Sequence, residues 1–174
     1  MLLVGGASER FGSPKALARL DGETLAERAF STLSQACDEV LVVGKQADGL
    51  SLPFPLLDDG GGAGRAPVLG VAAGLSAAAH DVCVVLPVDC PLVTPQLVRA
   101  LGEAVAVPQT GPLPGAYSRG ESLAALRERI ARGELSLRGI NRRVLEVDPL
   151  LVADVDTPAE LARLAVDRLS HFRH

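Results

Sequence analysis

Aromatic residues are nearly missing from this chain: it has no tryptophan, one tyrosine and four phenylalanines, 3% in all. Hydrophobic residues still make up 48%, so the core must be built from leucine, valine and alanine. Lysine is equally scarce. Only Lys15 and Lys45 occur among 17 basic residues, which 21 acidic residues outnumber to leave a net charge of −4. That balance excludes a global basic field able to attract nucleic acid. Cysteine is limited to Cys37, Cys83 and Cys90. Their odd number and lack of metal-type spacing argue against a disulfide scaffold and for a reducing compartment. No apolar run is long and uninterrupted enough to cross a bilayer. The N-terminus lacks the basic region followed by an apolar run that marks a secretory signal, so a cytoplasmic location is expected.

The length of 174 residues suggests one domain, spanning 1–174, with a full hydrophobic core. Short apolar runs alternate with helical patterns. Strands are expected at 2–4, 40–43, 54–57, 82–86, 144–147 and 151–155. Helices are expected at 24–36, 67–79, from Thr94-Pro95 onward, 122–131 and 157–169. In the first helix Leu25, Ala29, Leu33 and Ala36 share a face, and Thr24 with Glu27 forms a capping box. Thr94 caps a helix that begins on Pro95. Thr157, Pro158 and Glu160 make another capped start. Strands apolar on both faces and separated by helices predict an α/β protein with a mostly parallel sheet in three layers, α/β/α. The segment 105–114 is too rich in proline and glycine to assign.

Gly5 and Gly6 follow the first strand directly. Ligands of open parallel sheets bind beyond the carboxyl ends of the strands. Paired glycines let the backbone approach a ligand, with N–H groups facing anionic oxygens. Arg10 and Lys15 add two cations in the same loop. Backbone donors with fixed positive charge are what a triphosphate requires. The loop is not a Walker A motif, because Gly12 is followed by Ser13-Pro14-Lys15-Ala16, and it is not a GxGxxG fingerprint. An ordinary strand-to-helix turn with solvated charges is the alternative. A lysine at this spacing, in a chain with only two, favours the functional reading.

The run Leu3-Val4-Gly5-Gly6-Ala7-Ser8-Glu9-Arg10-Phe11-Gly12-Ser13-Pro14-Lys15-Ala16-Leu17 resembles the signature L-A-G-G-x-S-x-R-M-G-x-x-K-A-L. That signature belongs to the nucleotidyltransferases that complete the molybdenum cofactor, above all the molybdenum cofactor guanylyltransferases. The resemblance extends in order over nearly the whole chain, with shorter motifs after the first. It implies the Rossmann-like fold of nucleotide-diphospho-sugar transferases and transfer of GMP from GTP to molybdopterin or Mo-molybdopterin, with Mg²⁺ as cofactor. Other cofactor-biosynthesis or molybdoenzyme-maturation proteins would be further partners. It also implies that Leu3, Gly5, Gly6, Lys15, Asp59 and Asp89 contact the nucleotide, and that Arg10, Lys15 and Asp89 act in catalysis, Arg10 nearer the leaving pyrophosphate.

Asp89 lies just past the strand at 82–86, in Pro87-Val88-Asp89-Cys90-Pro91. A carboxylate there can hold Mg²⁺ beside phosphates delivered by the neighbouring loop. The segment is similar to the family's C-D-x-P, whose Asp binds the metal, with Val88 in place of Cys. Asp59, ahead of Ala66-Pro67-Val68-Leu69-Gly70, matches the family's D…G-P-L-x-G, with Ala66 for Gly; Asp58 next to it leaves a choice of two. Asp154-Val155-Asp156-Thr157-Pro158 is similar to N-V-N-T-P with both Asn replaced by Asp. Asp156 has two open readings: a second metal or substrate ligand, or a carboxylate favouring the helix start behind it. Val43-Gly44-Lys45 stands where the family often has an Asn that helps read guanine. The base is therefore open between GTP and CTP, and cytidylyl or sugar-phosphate nucleotidyl transfer is the rival chemistry. A non-catalytic nucleotide-binding protein is the rival of a different class. Cys90 reads as a packing residue.

Overall fold

The computed structural model describes residues 1–5, 11–60 and 66–171, with side chains through residue 164. In chain order the elements are β1 (Leu2–Leu3), β2 (Arg19–Leu20), β3 (Glu23–Thr24), α1 (Leu25–Ser34), β4 (Val42–Gly44), β5 (Leu57–Asp58) and α2 (Pro67–Ala77). There follow β6 (Val82–Pro87), α3 (Pro95–Ala104), β7 (Val107–Pro108), β8 (Gly115–Ser118), α4 (Arg119–Ala131), β9 (Val144–Leu145) and α5 (Pro158–His171). The main sheet has the order β5-β4-β1-β6-β8. Its first four strands are parallel, and β8 runs antiparallel to β6. A β2–β3 hairpin and a parallel β7–β9 pair flank it.

The period-two alternation of side chains along the strands divides the core. Leu2, Val4, Val42, Val84 and Leu86 face a cluster that contains Leu25, Ala29 and Leu33 of α1, Leu97 and Leu101 of α3, and Leu161 of α5. Leu3, Val43, Cys83, Val85 and Tyr117 face the other cluster, with Val68, Val71 and Leu75 of α2 and Leu126 of α4. Helices therefore cover both faces of a mostly parallel sheet, as the apolar runs predicted. The core is mainly aliphatic; Tyr117 is fully buried in it and donates its hydroxyl to Pro112 O at 2.6 Å.

The predicted caps form. Thr24 Oγ1 accepts from Glu27 N at 3.1 Å while the Glu27 carboxylate accepts from Thr24 N at 2.9 Å. Thr94 Oγ1 accepts from Leu97 N at 3.2 Å, with Pro95 at the first helical position. Three strands depart most from expectation, the one expected at 54–57 forming only at Leu57–Asp58. The segment 151–155 is not a strand: Pro149–Val152 forms a 3-10 turn whose Leu150 N donates to Asp148 Oδ1 at 2.9 Å. After it only Val155 N reaches across, to Asp89 O at 2.8 Å. The strand expected at 144–147 shortens to Val144–Leu145, because the Gln109 side-chain amide takes the place of backbone partners for Val147, at 2.7 and 3.1 Å.

β8 went unpredicted, since Gly115-Ala116-Tyr117-Ser118 follows a proline-rich stretch and carries little strand propensity. Its pairing with β6 from Val82↔Ser118 to Val85↔Gly115 makes it a strand. Asn141 Nδ2 secures that region by donating to Val105 O and Ala116 O, both at 2.7 Å. Gly115 admits no side chain: a Cβ there would stand 2.6 Å from Pro112 O and 2.8 Å from Val107 Cγ1. Gly115→Ala is expected to cost about 1–3 kcal/mol of stability through overpacking, measured by urea denaturation. An unchanged midpoint would mean that the backbone before β8 yields freely.

Candidate active site

The parallel strands end along one edge of the sheet, and each delivers a chosen residue there. β1 leads into exposed Gly5, β4 into Lys45, β5 into Asp59 and β6 through Val88 into Asp89. The ends of β1 and β4 are in close approach. A Cβ on Gly44 would lie 2.8 Å from Val4 Cγ2 and 3.5 Å from Gly5 N, so bare backbone is required at that point. Leu3, buried in the sheet, gives its carbonyl to Val88 N at 2.9 Å. That bond aligns β1 with the end of β6. Gly6 and Arg10 lie outside the described residues.

Lys15 begins a 3-10 turn, Lys15–Leu17, between buried Phe11 and buried Ala16. These two apolar anchors hold the lysine at the sheet edge. Its ammonium donates to Asp89 Oδ2 at 3.1 Å and to Asp156 Oδ1 at 2.8 Å. Burial opposes the charge, but hydrogen bonds and charge from Asp156 and Asp89 outweigh it and raise the Lys15 pKa. The cluster joins residues 74 and 141 positions apart in sequence.

Asp156 reaches this cluster because of how the chain approaches α5. Val152 and Val155 are buried in the core, and Val155 N binds Asp89 O. Glu160 Oε2 then accepts from Asp156 N at 2.7 Å and Thr157 N at 3.0 Å, while Glu160 N donates to Thr157 Oγ1 at 3.2 Å. These hydrogen bonds hold Glu160 below the ordinary carboxylate range. The helix cap is thus made by Thr157 and Glu160, while the Asp156 carboxylate turns to Lys15. Asp154 is exposed.

The neighbouring aspartates at the end of β5 have different partners. Asp58 accepts from Gln46 N at 2.9 Å and Gly60 N at 2.8 Å, which lowers its pKa and ties two loops together. Asp59 instead pairs with Lys45 Nζ at 3.2 Å, with side chains 11% and 8% exposed. From the sequence Lys45 stands out only as a departure from the family's Asn. Its being one of two lysines is the signal that could have singled it out.

Cys90 is buried, and burial together with the charge of Asp89 pushes its thiol far above the ordinary value. It is therefore no nucleophile. Among the described residues no group of three or more His, Cys, Asp or Glu side chains converges on a metal-sized site. Likewise, no helix among them is long and apolar enough to cross a membrane. A separate cavity lined by Met1, Cys37, Glu39, Cys83, Arg99 and Glu103 opens at the opposite end of the strands and contains none of the expected site residues.

Comparison with known proteins agrees with this arrangement. A family profile described as "MobA-like NTP transferase domain" matches residues 1–138. A probable molybdenum cofactor guanylyltransferase of Pelotomaculum thermopropionicum is 31% identical over 185 residues, covering 99% of this chain and 84% of the relative. One of Chloroflexus aggregans is 36% identical over 166 residues, 86% of this chain and 78% of the relative. The crystal structure of molybdopterin-guanine dinucleotide biosynthesis protein A from Archaeoglobus fulgidus shares the fold, with a TM-score of 0.73 at 24% identity over 98% of this chain and 97% of that one. With Gly5, Lys15 and Asp89 on one sheet edge, this chain belongs to the MobA-like NTP transferase family and is a nucleotidyltransferase.

Proposed function

We propose that this chain, acting as a single cytoplasmic domain, transfers GMP from GTP to the terminal phosphate of molybdopterin. The observation that carries the reading is the convergence of Lys15, Asp89 and Asp156 beside Gly5. The activity named for the curated relatives supports the choice of substrates. A phosphate oxygen of the acceptor attacks the α-phosphorus of GTP. The bond to the β-phosphate breaks, and pyrophosphate leaves with the electron pair. The attacking group is already an anion, so no covalent intermediate on the protein is required, and catalysis is positioning with charge neutralisation.

The residues present fit a divalent cation. Asp89 and Asp156 already converge on one positive charge, the Lys15 ammonium. Carboxylate oxygens plus phosphate oxygens and water are the donor set Mg²⁺ takes. Bound there, Mg²⁺ would neutralise charge on the phosphates. Gly5 offers an approach without a side chain. Lys15 places a fixed positive charge beside the triphosphate, with Gly6 and Arg10 of the same loop assigned to the phosphates and the leaving group. Asp59, whose neighbour Asp58 is engaged with backbone amides, is assigned to the nucleoside.

Base choice is tested by thermal denaturation with each of GTP, CTP, ATP and UTP in the presence of Mg²⁺. GTP is expected to stabilise most, by about 2.7 kcal/mol at ~100 times its dissociation constant. A larger effect of CTP would move the reading to cytidylyl transfer. Equal effects of all four would mean that only phosphates are recognised.

Replacing Asp89 separates an enzyme from a binder. Asp89→Asn keeps the shape and removes the charge. Pyrophosphate release from GTP with molybdopterin as acceptor should fall on the order of a hundred- to a thousand-fold, while GTP affinity changes far less. An unchanged rate removes Asp89 from the mechanism. Tight GTP binding by the unmutated protein without any release would favour the non-catalytic reading.

A further inference from the structure

We infer that the arginine-bearing turn before β9, together with the free edge of β9, docks an extended acidic segment of a partner protein. Residues 127–143 hold six arginines against two glutamates, a local excess of four positive charges in a chain whose net charge is −4. Three of the six serve the fold. Arg127 donates to Ser76 Oγ at 3.3 Å, Arg129 to Ser136 O and Arg138 O at 3.1 and 2.7 Å, and Arg132 pairs with Glu128 and Glu134. The other three, Arg138, Arg142 and Arg143, are exposed, and among the described residues their guanidiniums meet no hydrogen-bond or ion-pair partner. Their backbone is fixed. Leu137 is buried, Ile140 N closes a turn on Leu137 O at 3.1 Å, and Gly139 takes the positive φ of 75° within it. Asn141, held on Val105 O and Ala116 O, accepts from Arg143 N at 2.9 Å. A partner therefore meets these guanidiniums on a preorganised backbone, which lowers the ordering cost of binding.

The strand beside them is open. Val107 N donates to Arg143 O, and the parallel register sets Val107 opposite Val144. A residue of a parallel ladder bonds the neighbours on either side of the one opposite it, so the N–H and C=O of Val144 itself face away from β7. Among the described residues no strand pairs on that side. An extended segment added there gains main-chain hydrogen bonds. The place lies off the reaction edge. Ala116 N donates to Ala106 O at 2.8 Å and Gly115 sits against Val107, so β7 runs against β8 and in the direction of β6. β9 is parallel to β7 and begins at the end remote from Asp89.

The chemistry selects the occupant. Guanidiniums match carboxylates with paired N–H donors. Exposed Leu135 and Val144 flank the three arginines along the chain, at 50% and 57% exposure, and offer aliphatic contact of the kind that accompanies arginine in protein interfaces. A long polyanion fits less well. The net charge of −4 repels nucleic acid and anionic bilayers over longer range, and residues 127–143 contain no aromatic ring on which a base could stack. An acidic segment with aliphatic residues between its carboxylates satisfies the charge, the apolar contacts and the strand edge together.

The test is fluorescence anisotropy on the full chain with a labelled peptide that alternates Asp or Glu with Leu or Val, its Asn/Gln isostere and a single-stranded oligothymidylate. Vesicles containing phosphatidylserine are assayed by co-sedimentation. The acidic peptide should bind, weaken as salt is raised, and exceed its isostere by about tenfold. The double variant Arg142→Glu, Arg143→Glu should bind it roughly tenfold more weakly, with the melting temperature and pyrophosphate release from GTP unchanged. Val144→Pro removes only the outward N–H and should also weaken the peptide; full binding by that variant, folded, overturns the strand addition. Absence of saturable peptide binding, equal binding by the double variant, or tighter binding of oligonucleotide or vesicles overturns the proposal. Self-association of the unmutated chain that the double variant abolishes would make a second copy the occupant and overturn it equally.

Discussion

A parallel sheet covered by helices on both faces leaves only the ends of its strands for polar chemistry. Here Leu2 and Leu86 pack on one face and Leu3 and Val85 on the other, so β1 and β6 cannot present a charged group along their length. Polar side chains are confined to the points where strands stop. Because β5, β4, β1 and β6 run the same way, those points fall on one edge. The alignment of Gly5, Lys45, Asp59 and Asp89 follows from burial of the strands behind them.

The Lys15 cluster shows the balance of forces at that edge. Desolvation of the ammonium is the largest single effect on it, and it is overcome only because two carboxylates share the charge. Removing either aspartate would leave a partly buried lysine less well compensated. The cluster also joins the chain's beginning to its end, since Asp156 is held by the Val155–Asp89 backbone bond and the Glu160 cap. Site geometry and the docking of the C-terminal segment are therefore one problem, solved by the same few hydrogen bonds.

The sequence was most informative where local rules and tertiary structure agree. Apolar runs at β4 and β6, the Thr24–Glu27 box and the Thr94-Pro95 start are properties of a few adjacent residues, and they reappear as predicted. β8 was invisible because its strand character comes from β6, far away in sequence, and not from Gly-Ala-Tyr-Ser. The supposed strand at 151–155 failed for the converse reason: its apolar pattern records burial of Val152 and Val155, while Asp148 and Pro149 turn the backbone into a 3-10 coil. Of the site, Lys15 and Asp89 could be named from motifs. The split between Asp58 and Asp59 could not, because it depends on which carboxylate meets the amides of Gln46 and Gly60.

The near absence of lysine gives this division of labour a further meaning. Basic residues elsewhere in the chain are arginines, yet the two lysines both stand on the same sheet edge against aspartates. Arginine's guanidinium presents its donors in a fixed plane, whereas an ammonium is a compact charge with three rotatable donors. Lys15 uses that freedom to serve two carboxylates carried on separate segments. An ammonium also changes partners with little reorganisation of its stem. Under the proposed function, a cation that balances aspartates before a polyphosphate enters, and phosphate oxygens afterwards, is well made from lysine. The same compactness lets Lys45 remain buried beside Asp59 without widening the gap between β4 and β5, whose backbones stay hydrogen-bonded there.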